Sequence, residues 1–178
     1  RIPIADVLVL ASLYSIRLIA GSQASGVHTS TWLLSVSMFF FLSLAFMKRV
    51  SELKLLMQQH RNSTGRRNVR IHDIHIHGRG YIIDDLQILT SMGAASGYLA
   101  VVLYAQYISD SAIRVMYTTP DLLWYICPIL LFWISRAWLI TNRGKMHSDP
   151  VAFALRDRGS YLSFAAVGII WFFAWMGA

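Results

Sequence analysis

Two basic residues and one acidic residue directly follow an apolar segment of the sequence. The stretch FMKRVSELKLL, residues 46–56, contains Lys48, Arg49 and Glu52. On a helix, Glu52 lies one turn beyond both bases, so the three side chains are neighbours. Two cations can bind phosphate oxygens, and a carboxylate can orient one of them. These three residues are therefore our candidate catalytic residues. The plain alternative is that the bases only anchor the end of a membrane helix.

A polar seam runs along the first apolar segment. Asp6 lies at its start and Arg17 near its end, about three helical turns apart, so both fall on one helix face. Tyr14 lies on nearly the same stripe. Charges inside a membrane segment are costly and usually face the interior of a bundle. The seam therefore indicates either a water-filled cavity or a structural polar contact.

The other polar motifs allow structural interpretations. Asp84 and Asp85 open an apolar segment, where acids suit the helix dipole, although a metal or hydroxyl contact is an alternative. Asp149 before Pro150 predicts an N-cap and a short interfacial helix. Asp157 then forms a surface salt bridge, or the two loop acids hold a cation or position arginines. The three histidines of RIHDIHIHGRG have no cysteine nearby and no finger-type spacing, so we predict no metal site there.

Composition and hydropathy predict a membrane protein. The 178-residue chain is 56% hydrophobic and 14% charged, with a mean hydropathy of +0.49. A soluble domain of this length usually carries about 25% charged residues, and a membrane-spanning helix needs about 20 mostly apolar residues. We predict an all-α, polytopic transmembrane helical bundle rather than a buried soluble bundle. Its five predicted spans are residues 4–20, 31–48, 86–108, 121–141 and 160–177.

Positive charge is distributed unevenly between the loops. The chain has 16 Lys and Arg against 9 Asp and Glu, and the excess lies mainly in loops 48–85 and 142–159. The loop 21–30 has no Lys or Arg, and the loop 109–120 has only Arg114. Cytoplasmic loops carry the Lys and Arg excess of membrane proteins. We therefore predict that both basic loops face the cytoplasm, and we expect no nucleic-acid partner.

Four stretches together resemble a known family. RIPIADVLVLASLYSIRLIAG, FLSLAFMKRVSEL, GRGYIIDDLQIL and HSDPVAFALRDRGSYL are similar to the C-terminal part of the UbiA superfamily of membrane prenyltransferases. The likeness is strongest to the decaprenyl-phosphate phosphoribosyltransferase-like branch, and KRxxEL with DPVxFALRDR is fairly specific in combination. The resemblance implies that residues 1–178 are the C-terminal part of a UbiA-type domain. The five spans would be helices five to nine of a nine-helix fold.

The resemblance implies an enzyme of the bacterial inner membrane whose active side faces the cytoplasm. In the implied reaction, a polyprenyl phosphate attacks the anomeric carbon of phosphoribosyl pyrophosphate, and pyrophosphate leaves. Lys48 and Arg49 would bind phosphate, and Glu52 would orient them or a ribose hydroxyl. The polyprenyl tail would lie along apolar helix faces among membrane lipids. The further substrate-binding residues expected on this basis are Arg79, Tyr81, Arg17 and Asp6.

The resemblance also implies Mg²⁺, with its main ligands in an Asp-rich motif that this sequence lacks. We therefore expect the chain to need an N-terminal remainder of the same protein and to be inactive alone. Where the second motif of the superfamily is Asp-rich, it binds magnesium diphosphate; here Lys48, Arg49 and Glu52 replace it and favour a bare phosphate. One alternative is a prenyltransferase that moves a prenyl group from a prenyl diphosphate to an aromatic acceptor. Another is a non-catalytic membrane subunit.

Overall fold

The computed structural model describes residues 3–26, 30–63, 80–146 and 149–177, and within these ranges all regular structure is helical. Two 3-10 turns, Ile83–Asp85 and Pro120–Tyr125, lead directly into longer helices. The α-helices are α1 (Ala5–Ser25), α2 (Thr31–Ser63), α3 (Leu86–Ser109), α4 (Ser111–Arg114), α5 (Ile126–Asn142), α6 (Pro150–Ala154) and α7 (Arg158–Met176).

Five helical segments are long and apolar enough to cross a membrane. Each overlaps one of the predicted spans, and this confirms the all-α transmembrane bundle. The protein is therefore embedded in a membrane. The segments are Ala5–Ser25, Thr31–Gln59, Ile83–Ser109, Pro120–Asn142 and Arg158–Met176.

Helix α2 continues well beyond the point where we predicted a loop. It runs to Ser63, so the first part of the predicted loop 48–85 is helical. Leu, Lys, Glu, Met and Gln dominate this stretch, and all are good helix formers. Lys54 Nζ also donates to Asn142 Oδ1 at 2.7 Å, which holds the extension against the end of α5. Residues 64–79 of the predicted loop lie outside the described residues.

Glycines allow close contact between α2, α3 and α5. A Cβ atom on Gly93 of α3 would lie 2.3 Å from Trp138 Cζ2 and 2.7 Å from Phe46 Cβ. Ser43 Oγ donates to the Gly93 carbonyl at 2.7 Å and accepts from Trp138 Nε1 at 3.1 Å. Gly97 repeats the small residue one turn later. Membrane helices associate through such small residues because the hydrophobic effect contributes little to helix pairing in lipid. Close van der Waals packing drives their association instead.

The proline in the fourth span does not interrupt a helix. Because α5 begins at Ile126, Pro128 lies in its first turn, where a missing N–H costs no interior hydrogen bond. A 3-10 turn, Pro120–Tyr125, precedes the helix. Helix α2 packs against both α1 and α3. The beginning of α1, the extended end of α2 and the beginning of α3 therefore lie side by side.

Candidate functional site

Four polar side chains meet at this shared end of α1, α2 and α3. We call Asp6, Arg49, Glu52 and Tyr81 the polar cluster. Arg49 Nε donates to Asp6 Oδ2 at 2.6 Å, and Arg49 Nη1 donates to Glu52 Oε2 at 2.7 Å. The Tyr81 hydroxyl donates to Asp6 Oδ1 at 2.6 Å. One guanidinium is thus held between carboxylates from two different helices.

The single cation of the polar cluster is buried more deeply than its two acids. The Arg49 side chain is 5% exposed, whereas Asp6 and Glu52 keep 28% and 30% of their side-chain surface. A buried guanidinium is tolerated only when it is paired, and the two carboxylates supply that pairing. The acidic edge of the cluster therefore remains accessible, while Arg49 is fixed behind it.

Tyr81 links the polar cluster to the backbone at the start of α1. Its hydroxyl accepts a hydrogen bond from Ile4 N at 2.7 Å while it donates to Asp6. Ile4 has φ 73°, a region that β-branched residues rarely occupy. Burial, followed by the hydrogen bond to Asp6, raises the pKa of Tyr81 to about 12. The hydroxyl therefore stays protonated at neutral pH and holds Asp6 in place.

Lys48 points to a different partner from its neighbour Arg49. Its Nζ donates to Asp149 Oδ2 at 2.7 Å, and the two side chains are 34% and 35% exposed. Asp149 Oδ1 accepts from Val151 N at 3.0 Å, so the predicted N-cap of α6 is confirmed. Burial alone would raise the pKa of Asp149, but the hydrogen bonds from Lys48 and Val151 lower it. This ion pair ties the second basic loop to α2 beside the polar cluster.

The structure separates Arg17 from the polar cluster. Arg17 is exposed, and its Cζ lies 5.4 Å from the Tyr14 ring centroid. Tyr14 stacks on Phe41 of α2 at 5.0 Å between centroids. Eleven residues along a helix correspond to about 16 Å, so Arg17 and Asp6 are far apart although they share a face. The seam is thus a cation–π contact at one end and an ion-pair network at the other.

The remaining sequence candidates are distributed as follows. Arg79 and the three histidines of RIHDIHIHGRG lie outside the described residues. Asp85 accepts from Ile82 N at 3.0 Å, so it caps the turn that leads into α3, as its position in the sequence suggested. Of the seven residues that we singled out for the site, the structure brings Asp6, Arg49, Glu52 and Tyr81 together and places Lys48 beside them.

A second charged network links α5 and α7; sequence analysis predicted a salt bridge or an arginine contact for Asp157 but missed its partner, Arg136. Arg136 Nη2 donates to Asp157 Oδ1 at 2.9 Å, and its Nη1 donates to the other carboxylate oxygen. Asp157 Oδ2 also accepts from Ser160 N at 2.8 Å and so caps α7. The hydrogen bonds from Arg136, then those from Ser160, lower the pKa of Asp157. Arg136 lies inside the predicted span 121–141, and a charge within an apolar run was the available signal.

The donor and acceptor count limits the chemistry of the polar cluster. Among the described residues, the hydrogen bonds of Arg49 go to Asp6 and Glu52, and they use two of the five N–H donors of a guanidinium. The two carboxylates thus use part of the donor capacity of Arg49, whose side chain is only 5% exposed. Within the described ranges, no three His, Cys, Asp or Glu side chains are grouped so that they could hold a metal ion. The described residues therefore do not complete a Mg²⁺ site by themselves, and Mg²⁺ with its main ligands elsewhere in the protein stays a prediction.

Comparison with known proteins identifies relatives but no established family. No family model matches the chain, and no solved structure matches it. It is 30% identical over 163 residues to the uncharacterized protein y4nM of Sinorhizobium fredii, covering 90% of this chain and 29% of that protein. It is 30% identical over 155 residues to the nodulation protein NoeC of Azorhizobium caulinodans, covering 87% of this chain and 47% of that protein. The chain thus spans less than half the length of either relative.

Proposed function

We propose that the protein is a membrane-embedded transferase that acts on polyprenyl substrates at the polar cluster. The proposed reaction moves phosphoribose from phosphoribosyl pyrophosphate to a polyprenyl phosphate. The observation that carries the proposal is the fixed guanidinium of Arg49, which lies between Asp6 and Glu52 at the end of the apolar helices. The phosphate of a polyprenyl phosphate would lie at the same depth as Arg49, because its tail lies among the helices and its headgroup lies at the membrane interface.

Lys48 and Arg49 would have separate roles in this reaction. Arg49 is buried and held by two acids, so it suits a fixed contact to one phosphate group. Lys48 is about one-third exposed, so its ammonium group can exchange Asp149 for a phosphate oxygen at little cost. Glu52 would orient Arg49 or accept a hydrogen bond from a ribose hydroxyl. Asp6 and Tyr81 would position Arg49 rather than contact the substrate.

A bare phosphate would be repelled by the two carboxylates of the polar cluster. Asp6 and Glu52 carry two negative charges against the one positive charge of Arg49. Repulsion would weaken binding unless Lys48 leaves Asp149 and joins the site, because like charges in a poorly hydrated site interact strongly. The proposal therefore requires both bases, and removing Lys48 alone should already impair phosphate binding.

The excess of acidic over basic side chains in the polar cluster favours a second candidate reaction. In it, a prenyl group is transferred from a prenyl diphosphate to an aromatic acceptor. Carboxylates are the usual partners of a metal-bound diphosphate, and Asp6 and Glu52 are both partly exposed. The main ligands for the metal would then come from the Asp-rich motif expected in the N-terminal remainder of the protein. A role in nodulation, which the name of the Azorhizobium relative states for that protein, is compatible with either reaction and does not choose between them.

The two proposed reactions differ in the donor from which a labelled group is transferred. The donor is phosphoribosyl pyrophosphate in the first reaction and a prenyl diphosphate in the second. We would supply the full-length protein in lipid, with Mg²⁺, with radiolabelled phosphoribosyl pyrophosphate and polyprenyl phosphate, and in parallel with labelled prenyl diphosphate and aromatic acceptors. Movement of label from phosphoribosyl pyrophosphate into the lipid phase is the expected result. Transfer only from the prenyl diphosphate would establish the second candidate. No transfer in either arm would leave a non-catalytic membrane subunit as the best account.

A further inference from the structure

We propose that the segment from α6 to the first turn of α7, residues 150–162, binds the phosphate headgroups of anionic membrane lipids. We call this segment the elbow. Its two arginines, Arg156 and Arg158, are the binding groups, and its exposed apolar side chains set the depth at which it lies. The proposal concerns the outer surface of the bundle, so it does not depend on the transferase reaction.

The sequence of the elbow does not by itself show how its charged side chains are paired. In the stretch ALRDRGS, Asp157 stands between Arg156 and Arg158 and could be expected to neutralise them. The structure instead turns this carboxylate inward, where it accepts from both Nη atoms of Arg136 and from Ser160 N. Its capacity to accept hydrogen bonds is largely used there. The elbow therefore presents two cations rather than a compensated ion pair.

Packing around Arg136 explains why Asp157 faces inward. A Cβ atom on Gly159 would lie 2.7 Å from Arg136 Cζ, so the glycine makes room for the guanidinium against α7. Trp133 Nε1 donates to Ser160 Oγ at 2.9 Å and secures the same interface. Meanwhile Arg156 and Arg158 are exposed, and neither forms an ion pair with any part of the chain that the structure describes.

Apolar side chains around these arginines are exposed at the same level. Leu155 is 64% exposed and Leu162 is 73% exposed. Leu162 lies one turn after Arg158 on the same face of α7, so the cation lies above an apolar, lipid-facing residue. The Tyr161 hydroxyl donates to Leu155 O at 2.6 Å and fixes the turn between the two helices. This arrangement of apolar side chains beneath cationic ends is typical of segments that lie at a membrane interface.

The positive charge of the elbow and its depth in the membrane together determine which kind of ligand fits it. Guanidinium groups bind phosphate through several N–H donors, and basic residues next to a membrane helix attract anionic lipids. A soluble anion would gain nothing from Leu155 and Leu162, whereas a lipid covers both with its acyl chains. The phosphate of an anionic lipid is therefore the partner that fits the whole elbow.

The test measures how strongly the intact protein prefers an anionic lipid. The protein is placed in phosphatidylcholine nanodiscs with a small fraction of spin-labelled phosphatidylglycerol, and the association constant relative to labelled phosphatidylcholine is obtained by electron paramagnetic resonance. We expect the preference to fall about fivefold for each arginine removed in Arg156→Gln/Arg158→Gln. The variant Arg156→Lys/Arg158→Lys should keep most of it, because the charge is retained.

A matched control separates the elbow from overall charge. Arg143→Gln/Lys145→Gln removes the same charge from the same basic loop, ahead of the elbow, and should change the preference much less. An unchanged preference in the elbow variant would overturn the proposal, and so would an equal fall in the control. Displacement of the labelled lipid by millimolar inorganic phosphate would also overturn it, since the site would then be one for a soluble anion. Thermal unfolding in detergent verifies that both double variants are folded.

Discussion

At the scale of single residues, the pairing of Arg49 determines what the site can do. Its guanidinium is buried and is held from two sides by Asp6 and Glu52. Tyr81 fixes Asp6 in turn and also binds Ile4 N. Removal of any one partner leaves a buried or half-buried polar group without its hydrogen bond, which typically costs about 1–3 kcal/mol. The polar cluster is therefore a unit whose members are coupled.

Tyr81→Phe removes only the hydroxyl from this unit. We expect it to destabilise the protein by about 1–3 kcal/mol, because Asp6 Oδ1 and Ile4 N both lose a partner. The pKa of Tyr81 is raised from 10.0 to about 12, so the folded state holds this proton more tightly. The contribution of the hydroxyl is thus complete below about pH 10 and is lost as pH rises towards about 12.

Unfolding in detergent measured from about pH 8 to about pH 12 checks this prediction. The stability difference between the wild type and Tyr81→Phe should be largest below pH 10 and should shrink above it. A difference that stays constant across the range would contradict the assigned hydrogen bond. Other groups that titrate in this range do so in both proteins, so the comparison removes their effect.

Part of the polar cluster could be predicted from sequence, and the limit is physical. The pair Arg49 and Glu52 follows from helical spacing alone. The contacts of Asp6 with Arg49 and Tyr81 span 43 and 75 residues, so they depend on how the helices pack. Lys48 was expected to act with Arg49, but its partner Asp149 lies 101 residues away. Adjacent helix positions point about 100° apart, and that is why the two bases diverge.

At the scale of secondary structure, small residues decide how closely the helices approach. Sequence hydropathy predicted the five spans, because span length follows from the thickness of the bilayer. It did not predict the end of α2, because the helix continues beyond the apolar run on its own propensity and contacts. It also did not indicate that Gly93 lies against Trp138, since a glycine in an apolar run reveals nothing of its neighbours.

Gly93→Ala tests this close approach. The new methyl group would lie 2.3 Å from Trp138 Cζ2, so the indole ring or the helix must move. We expect a loss of about 1–3 kcal/mol, the usual cost of overpacking a core. Thermal unfolding in detergent measures the effect.

Gly168→Ala is the matched control for this change. Gly168 lies on the exposed face of α7 and has no atom within 4 Å of the position of a Cβ. Alanine there should be neutral or slightly stabilising, because it is the better helix former. Equal effects of the two substitutions would show that α2, α3 and α5 are not packed as described.

At the scale of the whole molecule, the two networks lie on the same side of the helical bundle. The polar cluster, the Lys48–Asp149 pair and the elbow all connect to the basic loops 48–85 and 142–159. The orientation that we predict from Lys and Arg counts places this side in the cytoplasm. Single-cysteine variants in a Cys127→Ala background test it, with Arg143→Cys in a basic loop and Ser111→Cys in a loop poor in Lys and Arg.

A membrane-impermeant maleimide added to intact spheroplasts reads the orientation directly. We expect Ser111→Cys to react at once and Arg143→Cys to react only after the membrane is permeabilised. Both positions are exposed, so access to the reagent rather than burial decides the result. Reaction of Arg143→Cys in intact spheroplasts would invert the topology and would place the polar cluster outside the cell.

The most direct measurement is the rate of label transfer from phosphoribosyl pyrophosphate to polyprenyl phosphate by wild type, Lys48→Ala, Arg49→Lys and the control Arg143→Ala. Lys48 is about one-third exposed and forms a partly exposed ion pair, so its loss should leave the fold intact. We predict that turnover falls about a hundredfold in Lys48→Ala and Arg49→Lys and hardly changes in Arg143→Ala. Transfer at wild-type rates in all three variants would contradict the assignment of the polar cluster and Lys48 as the site of phosphate binding.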